Sequence, residues 1–260
     1  MKAPDFFLHL RDGQRILVDV KDVQLQEPSL EKLIKFGSAE VKRMQRFGEM
    51  YGAEVFIAIY IADFPMWLLV SGNDLVEGPG GGYRISVRDA IFKNKLAMIG
   101  DQSIGVRAPL EASFLPAPGT PTGINEEGEA PFTIGAVHLY SGGTLVTSPE
   151  ARRIVWFFMM YGGWEQDEHV MAVDGRVTEL RWTSSPPEES RQGFGIVGSL
   201  SSMYSRLFES STNGPRGYTA LDLNVEPGTL ITLLPHDFRD DELPLWRFTL
   251  VPTNPEDGEK

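Results

Sequence analysis

Asp5-Phe6-Phe7-Leu8-His9-Leu10-Arg11-Asp12-Gly13-Gln14-Arg15-Ile16-Leu17-Val18-Asp19-Val20-Lys21 decides the fold of the first half of this chain. The apolar run Phe6 to Leu10 and the β-branched run Arg15 to Val20 flank a turn signal, Arg11-Asp12-Gly13-Gln14. Two such runs around Asp-Gly read as a β-hairpin. Register fixes what the hairpin can do. A two-residue loop at Asp12-Gly13 pairs Leu10 with Arg15 and Asp5 with Val20, which sends Asp5 and Asp19 to opposite faces. A three-residue loop with Gly13 left-handed pairs Leu10 with Gln14 and Asp5 with Asp19. Only the second register puts two acids about 5 Å apart at Cβ, with Lys21 on the face of Asp19 by period-two alternation.

The chemistry of that second register is specific. Mg²⁺ or Mn²⁺ takes oxygen ligands and keeps several waters. Asp5, Asp19 and the Val20 carbonyl supply such oxygens, and a metal held there polarises a phosphodiester and generates hydroxide. Lys21 neutralises charge developing on the phosphoryl oxygens or positions the attacking water.

Pro4-Asp5, then Asp19-Val20-Lys21 on the next strand, with an apolar strand before the second acid, a hairpin between and a helix after, resembles the PD-(D/E)xK nuclease superfamily of restriction-endonuclease-like proteins. The resemblance implies an α/β core, a mixed sheet with flanking helices, and metal-dependent hydrolysis of nucleic acid, DNA in preference to RNA. It implies Asp5, Asp19 and Lys21 as the catalytic set. In that superfamily an initial helix and strand precede the Pro-Asp strand, and the helix often donates another acid. Only three residues precede Pro4 here. The resemblance therefore implies a longer chain, a second copy or partner subunit that completes the N-terminal region, or a reduced site.

Composition sets the outer bounds. The 260 residues suffice for one or two domains with large cores. There is no cysteine, which excludes disulfides, thiolate catalysis and zinc-thiolate centres. No apolar run approaches the ~20 residues of a membrane span, and the first residues lack the basic region and apolar core of a signal peptide. A soluble, cytoplasmic protein is expected. The net charge of -12 is unevenly distributed: residues 1–110 carry 14 basic and 14 acidic side chains, and residues 111–260 carry 10 and 22. An acidic half repels phosphate chains, so contact with nucleic acid is expected in the first half.

Along the chain, Ser29 to Gly52 reads as a helix N-capped by Ser29, with Leu30, Leu33, Ile34, Val41, Met44 and Phe47 as its apolar residues and Gly37-Ser38 as a kink. Its polar positions Lys32, Lys35, Lys42, Arg43, Gln45 and Arg46 are the candidates for phosphate contact. Glu54 to Ile61 is a near-continuous apolar run, suited to a buried central strand. Met66 to Val70 is a further strand, Ser86 to Lys95 contains a short helix, and Ser103 to Arg107 is a strand closing the first domain. Glu77-Gly78-Pro79-Gly80-Gly81-Gly82 is a loop without the lysine and hydroxyl of a P-loop.

Leu115 to Gly123 holds three prolines and two glycines without charge and marks a boundary. The expected division is a nuclease-like domain over residues 1–115, a linker over 116–131 and an acidic, mainly β, α+β accessory domain over 132–260. Within the last, Ser148-Pro149-Glu150 opens a helix that stops before Gly162-Gly163. Strands are expected at Phe132–Tyr140, His169–Val173, Val177–Trp182, Ala220–Val225, Leu230–Leu234 and Trp246–Val251. Polar loops are expected at Ser184–Gly195 and Ser210–Gly217.

Other constellations carry less. His9, His138, His169 and His236 form no zinc spacing, no GxSxG elbow occurs, and Gly193-Phe194-Gly195-Ile196-Val197-Gly198 matches GxGxxG without a clear preceding strand. Two function classes stand: a metal-dependent nuclease, and a non-catalytic interaction or assembly module that keeps the nuclease-like scaffold.

Overall fold

The computed structural model describes residues 3–25, 27–188, 191–214, 217–218 and 233–252. The architecture is mixed α/β, with several sheets and few helices. The chain divides into two compact units, residues 1–102 with 249–260, and residues 103–248. Among the described residues no helix is long and apolar enough to cross a membrane.

Unit 1 is organised by a four-stranded mixed sheet. β1 (Phe6–His9) and β2 (Arg15–Val23) form an antiparallel hairpin, β4 (Glu54–Ile61) lies parallel to β2, and β5 (Met66–Ser71) lies antiparallel to β4. Period two splits the sheet's side chains between two cores. Ile16, Val18, Phe56, Ala58 and Leu69 point to one side, where Leu96 closes over them. Leu17, Ile57, Ile59, Ile61, Leu68 and Val70 point to the other, against Val41 and Met44 of the helix α1 (Ser38–Tyr51). β4 is central and bounded on both faces, which is why its sequence is apolar almost throughout.

α1 buries Val41, Met44 and Gly48, one stripe at helical spacing. It ends at Gly52, whose φ of 58° is the left-handed conformation a helix C-terminus commonly takes. Gly48 allows the close approach of the helix to β4: a Cβ there would lie 2.7 Å from the Ala53 carbonyl oxygen and 2.9 Å from Val55 Cγ2.

The expected helix over Ser29–Gly52 is therefore half right. Leu33–Phe36 is a strand, β3, paired antiparallel with β7 (Tyr83–Ser86), which also pairs with β6 (Val76–Glu77). Ile34 and Phe36 are buried and Leu33 and Lys35 exposed, a period of two. Leu30 and Ile34, four residues apart, fit a helical or an alternating period alike, and the strand's partner lies beyond α1, β4 and β5 in the chain, so no local signal arbitrates. Ser29 Oγ accepts from the Glu31 N–H in a turn, and Gly37 occupies the helix N-cap.

Unit 2 contains a five-stranded antiparallel sheet in the order β11 (Thr144–Val146), β10 (Ile134–Ser141), β9 (Leu110–Pro116), β13 (Arg176–Ser185), β12 (Glu165–Val173). One face packs against α3 (Pro149–Tyr161), whose Ile154, Val155, Phe157 and Phe158 join Leu110, Ala112, Phe114 and Leu139 in the core. Ser148 caps α3 by accepting from the Ala151 N–H, and Pro149 sits in its first turn, as the sequence indicates. A second sheet runs β14 (Gly195–Ser199), β8 (Ser103–Val106), β17 (Leu245–Phe248), with α4 (Leu200–Thr212) following β14.

Several sequence expectations are displaced here. Ser103–Val106 pairs within unit 2 and does not close unit 1. The expected border at 115–131 falls inside unit 2. Leu115 and Pro116 end β9, the Ala117 N–H donates to the Thr133 carbonyl, and the Val177 N–H donates to the Thr122 carbonyl. α4 covers part of the expected loop Ser210–Gly217; its Leu200, Met203, Tyr204 and Leu207 keep helical spacing amid five serines. Gly195, from the GxGxxG match, makes room for the Trp164 ring, which a Cβ would meet at 2.9 Å. The expected strand at 220–225, and residues 230–232 of the next, lie outside the described residues.

Candidate functional site

The hairpin adopts the three-residue register. Phe6 pairs with Val18, Phe7 with Leu17, Leu8 with Ile16 and His9 with Arg15. The Leu10 N–H donates to the Gln14 carbonyl at 2.8 Å and Gly13 is left-handed at φ 88°. Asp12 Oδ1 accepts from the Gln14 N–H at 2.9 Å, locking the turn. Continued by one pair, this ladder sets Asp5 opposite Asp19. Asp5 lies just before β1 and is exposed; its Oδ2 accepts from the Val20 N–H at 2.9 Å. Its carboxylate thus closes the edge of β2 beyond the last paired residue of β1.

Asp19 and Lys21 share the α1 side of the sheet. Asp19 is buried, with 4% of its surface exposed. Its Oδ2 lies 2.7 Å from Lys21 Nζ, a charge contact rather than a well-aligned hydrogen bond. Lys21 Nζ also donates to Glu40 Oε1 at 2.6 Å. Glu40 sits in the first turn of α1, where a negative charge is favoured by the helix dipole. Burial alone pulls the Lys21 ammonium down, but the bonds and charges of Asp19 and Glu40 outweigh it, so the group is held above its ordinary value of 10.5.

Sequence reasoning brought together Asp5, Asp19, Val20 and Lys21, and missed Glu40. With the helix placed at 29–52, residue 40 falls in mid-helix. With the start at Ser38, it becomes a first-turn acid beside the strand that carries Asp19. The basic candidates divide. Lys32 precedes β3 and Lys35 lies on it, while Lys42, Arg43, Gln45 and Arg46 are on α1, with Lys42 and Arg46 on its exposed side.

The donor set suits a hard cation by type, because Asp5, Asp19 and Glu40 offer carboxylate oxygens and Mg²⁺ is commonly held by one or two of these with waters. Among the described residues no three His, Asp or Glu side chains converge as a metal group. One oxygen of each acid is already engaged, with the Val20 N–H or with Lys21.

The opposite face of the sheet carries a pocket of about 420 Å³ lined in part by Gln14, Glu54, Phe56, Lys95, Met98 and Val251. Glu54 accepts from Ser71 Oγ and Gln14 Nε2, and Lys95 Nζ stands 5.6 Å from the Phe56 ring centroid. No sequence signal marks it, since its residues come from four separated segments.

No known family profile and no curated protein sequence matches this chain. Among solved structures, the Holliday junction resolvase Hjc of the archaeal hyperthermophile Archaeoglobus fulgidus is similar over 33% of this chain and 64% of its own, with a TM-score of 0.27 and 17% identity. A likeness at that level bears neither on the site nor on its chemistry.

Proposed function

We propose that unit 1 is a divalent-metal-dependent phosphodiesterase acting on nucleic acid, DNA in preference to RNA. The observation that carries this reading is the hairpin register, which aligns the position of Asp5 with Asp19 while Lys21 shares the face of Asp19. Mg²⁺ or Mn²⁺ bound beside Asp5, Asp19 and the Val20 carbonyl would supply a polarised phosphodiester and a metal-activated nucleophile. The chain's own contribution is positional. Asp19, fixed in the middle of a buried strand, holds Lys21 from one side and Glu40 holds it from the other. An ammonium has three N–H donors; one goes to Glu40 while Asp19 lies beside the charge, so donor capacity remains for a phosphoryl oxygen as its negative charge grows.

The test is incubation of the full chain with single- and double-stranded DNA and RNA in Mn²⁺, Mg²⁺ or EDTA. Metal-dependent cutting, lost in Asp19→Asn and Lys21→Met while the circular dichroism is retained, supports the reading. A second reading is a non-catalytic interaction module. It is favoured by the closed Asp19–Lys21–Glu40 ion pairs and the lack of a three-acid metal group among the described residues. Failure to cut any substrate, together with no Mn²⁺ binding at millimolar concentration, supports the module and overturns the enzyme.

A further inference from the structure

We infer that the β3–β7 ladder carries a phosphate-binding site, formed by Lys35 and Arg84 beside the glycine-rich turn Gly78–Gly82. Lys35 and Arg84 are direct cross-strand partners. Side chains so placed are about 5 Å apart at Cβ, and like charges there are destabilising. Three cations of the same unit do lie beside acids, Arg88 by Glu31, Lys93 by Asp74 and Lys21 by Asp19 and Glu40; Lys35 and Arg84 instead face each other across the ladder. Among the described residues neither Lys35 nor Arg84 has a carboxylate within ion-pair distance.

The platform beneath the two cations is rigid. The alternate residues Ile34, Phe36 and Ile85 are buried in the core on the other face of the same two strands. The turn supplies a wall without side chains. A Cβ on Gly78 would lie 3.5 Å from Arg84 Cδ and 3.6 Å from Nε, so the Arg84 side chain runs along this backbone. The turn is closed by the Gly78 N–H donating to the Gly82 carbonyl at 2.6 Å and the Gly81 N–H donating to Gly78 at 3.1 Å. Gly80 and Gly81 are both left-handed, at φ 98° and 81°, conformations that exclude larger residues at little cost only because glycine is there. A guanidinium fork that takes two oxygens of a phosphate and an ammonium that takes a third would relieve the repulsion.

This inference goes beyond the phosphodiesterase reading and needs no cleavage. The phosphate could belong to a nucleic-acid backbone or to a free polyphosphate, and binding in EDTA separates them. A fluorescein-labelled DNA duplex is titrated by anisotropy at several salt concentrations, and inorganic pyrophosphate by calorimetry. Duplex binding without pyrophosphate binding assigns the site to the backbone, and the reverse assigns it to a free polyphosphate. Lys35→Ala with Arg84→Ala should weaken the bound probe roughly tenfold or more and, for the duplex, make the salt slope shallower by about 2. Lys35→Glu should also lose binding while the melting temperature stays or rises, because it gives Arg84 an opposite charge. Binding of neither probe by the wild type, wild-type affinity in Lys35→Glu, or a lowered melting temperature in that variant would overturn the site. Because every titration is made in EDTA, where the proposed catalytic centre has no metal, failure of this site and failure of that centre are read separately.

Discussion

Replacing Lys21 with Met tests how the centre of unit 1 is held together. The substitution keeps an unbranched stem and removes the ammonium from between two carboxylates. The Asp19 side chain is 5% exposed and the Glu40 side chain 32% exposed, so the two acids lose different things. Glu40 is partly hydrated already, and its half of the arrangement is worth about 0.5 kcal/mol, the order of an exposed pair. Asp19 is left as a buried carboxylate without its cation. Breaking a fully buried pair costs about 3–5 kcal/mol. The Lys21 side chain is 23% exposed, so water reaches the site, and about 2 kcal/mol is the expected loss. Hydrogen exchange of peptides covering β2 and β4 measures the loss in unit 1 itself. The cost should be several times that of Glu40→Gln and be at least halved by adding Asp19→Asn. A Lys21→Met penalty no larger than that of Glu40→Gln, or one indifferent to the second substitution, would refute the ion-pair account.

The raised Lys21 ammonium fixes an alkaline limit. Its contribution is fully present below the ordinary 10.5 and is lost as pH climbs through the higher folded value, so unit 1 should loosen above that point in thermal melts, and less so in Glu40→Gln. Gly48→Ala should destabilise in urea titration despite alanine's better helix propensity, by more than the ~1 kcal/mol that propensity gives, because backbone at Ala53 stands in the way. Gly13→Ala meets no neighbour within 4 Å, so its cost should be only the left-handed strain, about 1 kcal/mol, with the hairpin register retained by NMR.

What could be read in advance follows physical locality. The hairpin was legible because Asp12 and Gly13 mark its turn locally, but its register was not: a two-residue and a three-residue loop both fit the sequence, and the pairing of Phe6 with Val18 decides between them. β4 was legible from Glu54 to Ile61 because burial on both faces removes every polar residue from its middle. β3 was not, since a run of four residues is too short to separate the two periods and the deciding partner is remote. Misplacing β3 moved the helix start, and with it hid Glu40. Leu115–Gly123 reads as a boundary because its three prolines advertise a break, yet Leu115 and Pro116 end β9, where the register to β10 is irregular and a proline is tolerated. α4 had its apolar spacing in plain view, masked by serines that favour turns.

Residues 249–252 belong with the first unit although unit 2 intervenes in the chain. Thr249 accepts from Gln102 Nε2, and Val251 and Pro252 line the pocket with Glu54 and Lys95. During synthesis the strands of the first unit emerge well before the segment that finishes its wall. Early folding on the ribosome must therefore proceed with that pocket open on one side, and a chain stopped short of Thr249 would keep its sheet and both acids of the hairpin but lack that side of the lining.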